Sequence, residues 1–324
     1  MRAIIPVAGV GSRLRPHTYT VPKVLLNVAG KPIIGHIMDK IIENGFDEAT
    51  IVVGYLGEKI KDYIHSTYPI RVDFVEQEER LGLGHAIYLS RNTISRDPIL
   101  IILGDTIFDV NLRAMMTGPD SVIGVKEVDD PRRFGVAEVA DGYITRLVEK
   151  PQEPKSNLAV VGLYYITRPQ VLVESLKEII RTDVRTKGEF QLTDALQLML
   201  QKGEKMRTFA IEGWYDCGKP ETLLSTNRHL LEVGPTTPPP PGVVIHPPVY
   251  LSPKAVVKNA VLGPHTTIAH GAVVENSIIR NSIISEDAEV RDALLEDSIV
   301  GNSAKIRGSY KRINIGDSSE LEFD

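Results

Sequence analysis

The segment spanning residues 8–23 carries the residues best suited to chemistry. Gly9 and Gly11 follow a short apolar run, and the cations Arg13 and Lys23 come soon after them. Glycine lets a backbone approach a polyanion closely and turn its N–H groups toward it, while cationic side chains add charge. This combination predicts a site for the triphosphate of a nucleotide.

Two better-known phosphate-binding loops are excluded. Leu14 stands three residues after Gly11, where the dinucleotide-binding fingerprint requires a glycine, and the chain contains no Gly-Lys-Ser or Gly-Lys-Thr. Taken alone, the segment is equally compatible with a glycine turn beside surface arginines, because short glycine patterns recur by chance.

Two aspartates are candidates for holding a metal ion. Asp105 lies two residues after the end of the apolar run at residues 99–103, and the carboxyl ends of strands are where open α/β sheets bind ligands. Mg²⁺ keeps several waters and needs only one or two protein carboxylates beside phosphate oxygens, so Asp216 is the natural second ligand. Either aspartate alone is also compatible with a helix cap or a turn.

Alternating strand and helix signals must position these residues. An apolar stripe with a period near 3.6 runs from Ile33 to Ile42 and ends at Gly45, which predicts a helix. Short β-rich runs predict strands at residues 3–7, 50–53, 72–75 and 99–103. The alternation predicts an α/β fold with a Rossmann-like, mostly parallel sheet. Strands crowd together over residues 121–166, which predicts an inserted, more antiparallel substrate subdomain.

A proline-rich stretch divides the chain. The run from Pro238 to Pro241 can neither continue a helix nor donate ladder hydrogen bonds. We therefore predict a first domain over residues 1–232, which contains the candidate catalytic residues, a linker over 233–243, and a second domain with a C-terminal tail over 244–324.

The second domain has a repeating aliphatic pattern. Aliphatic residues recur in steps of five or six, and Ile268, Ile284 and Val300 are each 16 residues apart. A coil with three short sides fits this spacing, so the pattern predicts a short left-handed β-helix of the hexapeptide-repeat type. The inward positions are Ile245, Leu251, Val257, Leu262, Ile268, Val274, Ile279, Ile284, Val290, Leu295, Val300 and Ile306.

Composition narrows the class of protein. The chain has 324 residues, 42% of them hydrophobic, and a net charge of −5 with both signs interspersed, which argues against nucleic acid as a partner. The lone cysteine, Cys217, excludes a disulfide framework and is interpreted as a small buried apolar residue in a cytoplasmic protein. No apolar stretch approaches the length of a membrane span or a signal peptide.

Several motifs in order resemble one family. Gly9-x-Gly11-x-Arg13-Leu14 with Pro22-Lys23 is similar to the signature loop of the sugar-1-phosphate nucleotidylyltransferases. Further elements of that kind follow along residues 1 to about 232, namely Leu103-Gly104-Asp105, Glu149-Lys150-Pro151 and Trp214-Tyr215-Asp216-Cys217-Gly218. The β-helix resembles that of the long-form thymidylyltransferases.

The resemblance implies a reaction and a set of roles. A sugar-1-phosphate attacks the α-phosphorus of a nucleoside triphosphate, and pyrophosphate leaves. Arg13 grips the β- and γ-phosphates, Lys23 the α-phosphate and Lys150 the sugar phosphate, while Asp105 and Asp216 hold Mg²⁺. Nucleotide contacts are implied for Ala8, Gly9, Gly11, Ser12, Gln77, Gly82 and Asp105.

Substrate choice is implied less sharply. Gln77 has a donor and an acceptor for the amide edge of a pyrimidine, and the neighbouring loop runs Gly82-Leu83-Gly84-His85-Ala86. That loop resembles the uridylyltransferase branch, whereas the β-helix points to dTTP, so UTP and dTTP both stay open. His85 is interpreted as a helix-start residue. The resemblance implies glucose-1-phosphate as acceptor, with sugar contacts from Gly135, Glu149, Val161 and Gly162.

Two alternatives remain open. One is a bifunctional enzyme whose β-helix also transfers an acyl group, with His246, His265 and His270 as candidate bases. The other is a non-catalytic regulatory subunit, although such proteins usually lose the charged residues that this chain retains. The regular β-helix without chemistry also predicts a homo-oligomer.

Overall fold

The structure, a computed structural model, describes residues 1–234 and 238–308. The predicted linker therefore lies partly outside the described residues, and the predicted tail beyond residue 308 lies wholly outside them. The chain forms two compact units: unit 1 comprises Met1–Asn27 and Lys31–Thr226, and unit 2 comprises Val28–Gly30 and the chain from Asn227 onward.

Unit 1 is built on a nine-stranded sheet. The strands are β1 Arg2–Pro6, β4 Glu48–Val53, β5 Arg71–Glu76, β6 Ile99–Ile102, β8 Ser121–Glu127, β9 Gly135–Ala140, β10 Tyr143–Glu149, β11 Leu158–Ile166 and β12 Met206–Ala210. Seven of them follow the order β10-β9-β11-β6-β1-β4-β5, while β8 pairs with β11 and with β12. Short pairs lie outside this sheet, formed by β2 Asn27–Val28 with β3 Lys31–Pro32 and by β7 Thr106–Asp109 with β13 Gly213–Asp216.

The sheet is parallel in its first part and antiparallel in its middle. Strands β6, β1, β4 and β5 run parallel, as the apolar runs predicted. Strand β11 pairs antiparallel with β6, β8 and β9. The predicted antiparallel character of residues 121–166 is thus present, but these strands extend the main sheet and do not form a separate subdomain. The reason is that β11 is long enough to pair with three neighbours.

In the described part of the chain, seven helices accompany the strands. They are α1 Ile33–Glu43, α2 Gly57–Thr67, α3 Leu83–Leu89, α4 Leu112–Met115, α5 Pro169–Arg181, α6 Leu192–Gln201 and α7 Pro220–Val233. Short 3₁₀ turns lie at Ser12–Leu14, His17–Tyr19, Lys23–Leu25, Ser90–Thr93 and Pro131–Arg133. The predicted stripe of α1 is buried, with Ile37, Met38 and Ile41 at 2% exposure or less. Apolar side chains of α3, α5 and α6 form one core with the sheet, including Ile87, Leu176 and Leu196.

Unit 2 contains the predicted β-helix, with three parallel sheets of four short strands each. The strands are β14 Val243–Ile245, β15 Val249–Leu251, β16 Val256–Lys258, β17 Ala260–Leu262, β18 Thr266–Ile268, β19 Val273–Glu275, β20 Ile278–Arg280, β21 Ile283–Ile284, β22 Glu289–Arg291, β23 Leu294–Glu296, β24 Ile299–Val300 and β25 Lys305–Arg307. Ile268 pairs with Ile284, and Ile284 pairs with Val300, which confirms the predicted coil of 16 residues. Seven of the twelve predicted inward aliphatics are buried in the core of this unit, and the other five are partly buried and packed against it.

Corners of the β-helix have their own repeat. Non-glycine residues with positive φ recur there, and one such column contains Asn259, Asn276 and Asp292, with φ of 48°, 48° and 55°. Asn259 donates to Asn276 at 2.9 Å, and Asn276 donates to Asp292 at 3.0 Å. Because short polar side chains tolerate the left-handed region and bond locally, the corners stack as a ladder.

Among the described residues, no helix is long and apolar enough to span a membrane.

Candidate active site

The glycine loop after β1 is fixed by packing. Gly11 has φ of 66°, and a Cβ added to it would lie 2.9 Å from Cβ of Lys23, so only glycine fits. Leu14 is fully buried and anchors the loop, while the neighbouring Arg13 is exposed. The sequence therefore folds into a turn that presents a guanidinium and loop backbone on one side.

Lys23 lies close to Asp105. The Lys23 side chain is 8% exposed, and its Nζ is 2.6 Å from Oδ2 of Asp105, whose side chain is 41% exposed. A nearly buried ammonium with a carboxylate partner is held in one position, so it needs little reorganisation to meet a phosphate.

A two-stranded ribbon brings the second aspartate to the first. Strands β7 and β13 pair antiparallel with Asp216 opposite Thr106, and the N–H of Cys217 donates to the carbonyl of Asp105 at 3.0 Å. The two predicted metal ligands, 111 residues apart in the chain, thus lie side by side.

Charges of both signs converge around Asp216. Burial raises the pKa of Asp216 and the neighbouring Asp105 carboxylate raises it further, while Lys23 and Arg13 act in the opposite direction. A Cβ added to Gly218 would lie 2.7 Å from Nη2 of Arg13 and 2.8 Å from Oδ2 of Asp216. Arg13, Lys23, Asp105 and Asp216 therefore form one charged cluster, which we call the junction.

Two cavities of unit 1 meet at the junction. The larger cavity has a volume of about 990 Å³, the smaller one has a volume of about 540 Å³, and both are lined by Arg13 and Asp105. The smaller cavity is also lined by Ala8, Gly9, Lys23, Gln77 and Gly82. The larger cavity is also lined by Gly135, Glu149, Lys150, Val161, Gly162 and Asp216. The predicted nucleotide and sugar residues thus separate into two neighbouring spaces.

Two predicted loop residues are placed differently from the rest. Gly11 and Ser12 are not among the residues lining either cavity, although Gly9 and Arg13 on either side of them are. Gly11 is needed for the shape of the turn, and Ser12 is exposed.

An ion pair between two side chains lies at the wall of the larger cavity. Glu149 is 9% exposed, its Oε1 is 3.3 Å from Nζ of Lys150, and its Oε2 accepts a hydrogen bond from Thr193 at 2.7 Å. Lys150 has φ of 44°, in the left-handed region, and its N–H donates to the carbonyl of Phe134 at 2.9 Å. A Cβ on Gly135 would lie 3.0 Å from Oγ1 of Thr193, so glycine keeps this wall open.

The remaining two predicted sugar contacts lie at an irregularity of β11. The pairing of β11 with β8 shifts register between Val160 and Tyr164. Gly162 has φ of 93°, and its carbonyl accepts from the N–H of Leu103 at 3.0 Å. A side chain at Gly162 would collide with Leu103, and Val161 is 2% exposed. Only backbone at this bulge is therefore well placed to contact a ligand.

The smaller cavity has a buried amide at its wall. Gln77 is 6% exposed, and its Nε2 donates to the carbonyl of Gly82 at 3.1 Å and lies 3.2 Å from Nδ1 of His85. Burial lowers the pKa of His85, which favours the neutral ring that accepts from Gln77. His85 lies in the first turn of α3, as predicted. A Cβ on Gly82 would lie 2.6 Å from the carbonyl oxygen of Phe190, so the loop is tightly packed.

Several lining residues were missed by sequence reasoning. The larger cavity is also lined by Arg132, Arg133, Lys187, Thr193, Trp214 and Lys219. Two of these positions had a signal, because Arg133 comes just before Gly135 and Lys219 follows Gly218 directly. Phe134 and Trp214 meet edge to face with ring centroids 5.0 Å apart, a contact with no local sequence signal.

The donor set at the junction fits a hard divalent cation. Asp105 and Asp216 supply carboxylate oxygens from adjacent strand ends, and a Mg²⁺ ion takes its other ligands from phosphate and water. In the part of the chain that the structure describes, no group of three or more His, Cys, Asp or Glu side chains converges. A site that relies on substrate oxygens therefore suits these residues better than a closed protein cage.

Known proteins resemble the chain over this same region. Residues 2–233 match the family described as Nucleotidyl transferase. The chain is 34% identical over 308 residues to a glucose-1-phosphate thymidylyltransferase of Streptomyces griseus, covering 86% of this chain and 85% of that protein. It is 38% identical over 235 residues to a bifunctional protein GlmU of Methanococcus maripaludis, covering 71% of this chain and 54% of that protein. A solved UDP-glucose pyrophosphorylase complexed with UDP-glucose matches with a TM-score of 0.64 and 26% identity, over 71% of this chain and 98% of that one.

The open α/β sheet, the glycine loop and the paired carboxylates define an α/β protein with a candidate ligand site at the carboxyl ends of its strands. The chain belongs to the Nucleotidyl transferase family, which confirms the resemblance drawn from the motifs. It spans 54% to 66% of the length of the first curated relatives it matches.

Proposed function

We propose that the protein transfers a nucleotidyl group from UTP or dTTP to glucose-1-phosphate, giving a nucleotide sugar and pyrophosphate. The observation that carries this proposal is the junction, where Arg13, Lys23, Asp105 and Asp216 meet between two cavities. One cavity has an amide suited to a pyrimidine, and the other has a lysine suited to a phosphate. A reaction between two phosphorylated substrates needs such an arrangement.

Catalysis in this proposal comes from positioning and charge. Arg13 and Lys23 bind the triphosphate, and Lys150 binds the sugar phosphate so that its oxygen attacks the α-phosphorus in line. Asp105 and Asp216 hold Mg²⁺, which neutralises charge on the α-phosphate and on the leaving pyrophosphate when it is bound. Lys23 is nearly buried beside Asp105, so its charge acts in a poorly hydrated environment.

The nucleotide base is selected by Gln77 in this proposal. Its Nε2 already donates to the Gly82 carbonyl, which fixes the orientation of the amide. The second N–H of this amide lies toward Nδ1 of His85, so its carbonyl oxygen is the group left to accept from the N3–H of a uracil or thymine edge. Both UTP and dTTP present that edge, so both are expected substrates.

The acceptor is held by Glu149 and Lys150. Glu149 is oriented by Thr193 and paired with Lys150, so it can accept bonds from a pair of sugar hydroxyls while Lys150 contacts the phosphate. Glucose-1-phosphate is proposed because one matched relative is named a glucose-1-phosphate thymidylyltransferase and one matched structure contains UDP-glucose.

Pyrophosphate release tests the proposal. UTP, dTTP, CTP, ATP and GTP are each combined with the 1-phosphates of glucose, galactose, mannose and N-acetylglucosamine in the presence of Mg²⁺. We expect UTP or dTTP with glucose-1-phosphate to give the highest kcat/KM. A purine nucleotide in first place would overturn the assignment of Gln77, and no release from any pair would favour a non-catalytic subunit.

A second activity is a weaker candidate. Some matched relatives are named bifunctional, and the chain spans about half of their length. Of the three candidate bases in the β-helix, His265 has its Nε2 3.1 Å from Oε1 of Glu232. Incubation with acetyl-CoA and glucosamine-1-phosphate tests this candidate, and product acetylation would make the protein bifunctional.

The β-helix is proposed to mediate self-association in a cytoplasmic homo-oligomer. Its core is a regular aliphatic column, and the proposed chemistry uses none of its residues. Truncation after Glu232 should lower the number of subunits seen by light scattering. An unchanged subunit number would refute this role.

A further inference from the structure

A buried hydroxyl donates a hydrogen bond to the backbone of the glycine loop. Thr18 lies in the turn His17–Tyr19, is 2% exposed, and its Oγ1 donates to the carbonyl of Gly11 at 2.8 Å. The same carbonyl accepts the N–H of Leu14 at 2.9 Å. None of the roles given above uses Thr18.

The position of this carbonyl decides where the next N–H points. The peptide between Gly11 and Ser12 is trans, so its C=O and N–H point in opposite directions. Because the carbonyl is turned toward Thr18, the N–H of Ser12 is turned away from it. Within residues 1–234 and 238–308 that N–H has no hydrogen-bond partner. It is therefore free to donate to a ligand, and although Ser12 itself lines neither cavity, the next residue, Arg13, lines both.

The opposite orientation would be harmful to phosphate binding. Gly11 has no side chain to resist a peptide flip, and a flipped peptide would turn a carbonyl oxygen toward the triphosphate. The hydroxyl of Thr18 opposes this flip because it donates to the Gly11 carbonyl. The methyl group of Thr18 also packs closely against Gly11, since a Cβ on Gly11 would lie 3.1 Å from Cγ2 of Thr18. The same Cβ would lie 2.9 Å from Cβ of Lys23, so the three residues pack as one group.

We propose that Thr18 is a positioning residue: it holds the Gly11–Ser12 peptide with its N–H available to the triphosphate. This inference rests on the proposed function, since it assigns a triphosphate to the glycine loop. Thr18 touches neither substrate and acts only through the backbone that it fixes.

Matched variants test the role of the hydroxyl. Thr18→Val keeps the shape and removes the donor, Thr18→Ser keeps the donor, and Thr20→Val makes the same change at an exposed position of the same loop. We expect Thr18→Val to weaken calorimetric binding of UTP or dTTP with Mg²⁺ by about 3- to 10-fold, the range for one lost hydrogen bond. Thr18→Ser should restore binding, and Thr20→Val should bind like the wild type.

Kinetics separates positioning from general loosening. The KM for the nucleotide should rise in Thr18→Val while the KM for glucose-1-phosphate stays unchanged. Nucleotide binding equal to the wild type, equal changes in both KM values, or no rescue by serine would each overturn the inference, as would a wild type that binds no triphosphate. A wild type that binds the triphosphate but releases no pyrophosphate would sink the proposed function alone, and the binding comparison would still decide the role of Thr18.

Discussion

The β-helix and the two cavities of unit 1 with their junction both contain unusual backbone conformations and charges, but they differ in how these are distributed. Positive φ at non-glycine residues recurs at intervals of 16 or 17 along the β-helix, as at His265, Asn281 and Asp297. Lys150, at the wall of the larger cavity, also has positive φ, but no residue with positive φ follows it at an interval of 16 or 17. A repeated irregularity belongs to the architecture, whereas a single one beside a cavity points to function.

Charge shows the same contrast. On the β-helix, exposed ion pairs join opposite signs on adjacent coils, such as Arg280 with Glu296 at 2.9 Å. At the junction, two carboxylates lie side by side, and the pKa of Asp216 is raised by burial and by Asp105. Placing like charges together disfavours the folded state, so such a cluster indicates a ligand that the folded protein is built to bind.

The largest expected effect comes from removing a junction cation. Lys23→Ala should lower kcat by about 10²- to 10³-fold, by analogy with the loss of one fixed donor to a developing negative charge. Steady-state pyrophosphate release measures the loss. Lys61→Ala, which changes a partly exposed lysine of α2 that lines neither cavity, is the control and should retain wild-type kcat. Equal activity of the two variants would remove Lys23 from the proposed mechanism.

The second effect separates activity from stability. Asp216→Asn should abolish most activity yet raise the melting temperature of the ligand-free protein at neutral pH. The raised pKa means that the folded state disfavours the charged carboxyl, so this destabilisation is fully present above the folded pKa. It disappears as pH falls below the ordinary pKa of Asp, and the gap between variant and wild type should close there.

Thermal melts from pH 3 to pH 8 check this prediction. The control is Asp105→Asn, which removes the partner of Lys23 and should not stabilise the protein. A melting temperature of Asp216→Asn at or below that of the wild type at neutral pH would contradict the interpretation of the junction.

A third effect concerns the core of the β-helix. Ile284→Val removes one methylene from a fully buried side chain and should reduce the free energy of unfolding by about 1 kcal/mol. Denaturant titration measures the loss, and kcat of the folded protein should be unchanged. A fall in kcat comparable to that of Lys23→Ala would contradict the assignment of catalysis to unit 1 alone.

The smallest effect is expected at an exposed ion pair. Arg280→Ala breaks the pair with Glu296, which lies on the surface of the β-helix and is screened by water. Such pairs contribute about 0.2 to 1 kcal/mol, so denaturant titration should show a change near its resolution. A loss larger than that of Ile284→Val would mean that charge, and not the aliphatic column, holds the coils together.

Sequence predicted the parts of the fold that rest on local pattern. The period of α1 and the 16-residue coil follow from side-chain spacing, which is why their predictions agree with the structure. The place of β11 in the main sheet was not predictable, because it depends on pairing with β6, β8 and β9 at once.

The site shows the same limit. The glycine loop and the two aspartates carry motifs, but the ribbon of β7 and β13 that joins the aspartates is made of two four-residue strands without a strong pattern. Thr193 touches Glu149 from another element, and Thr18 acts through a carbonyl. Contacts of this kind depend on three-dimensional approach and leave no spacing to detect.

The ribbon has a consequence for how the protein is made. Strand β13 starts at Gly213, so it is synthesised after most of unit 1. Its pairing with β7 is what places Asp216 beside Asp105. A nascent chain therefore has the glycine loop and one carboxylate early, but it lacks the second carboxylate until synthesis of this unit is almost complete. Under the proposed function, an unfinished chain would therefore lack a complete metal site.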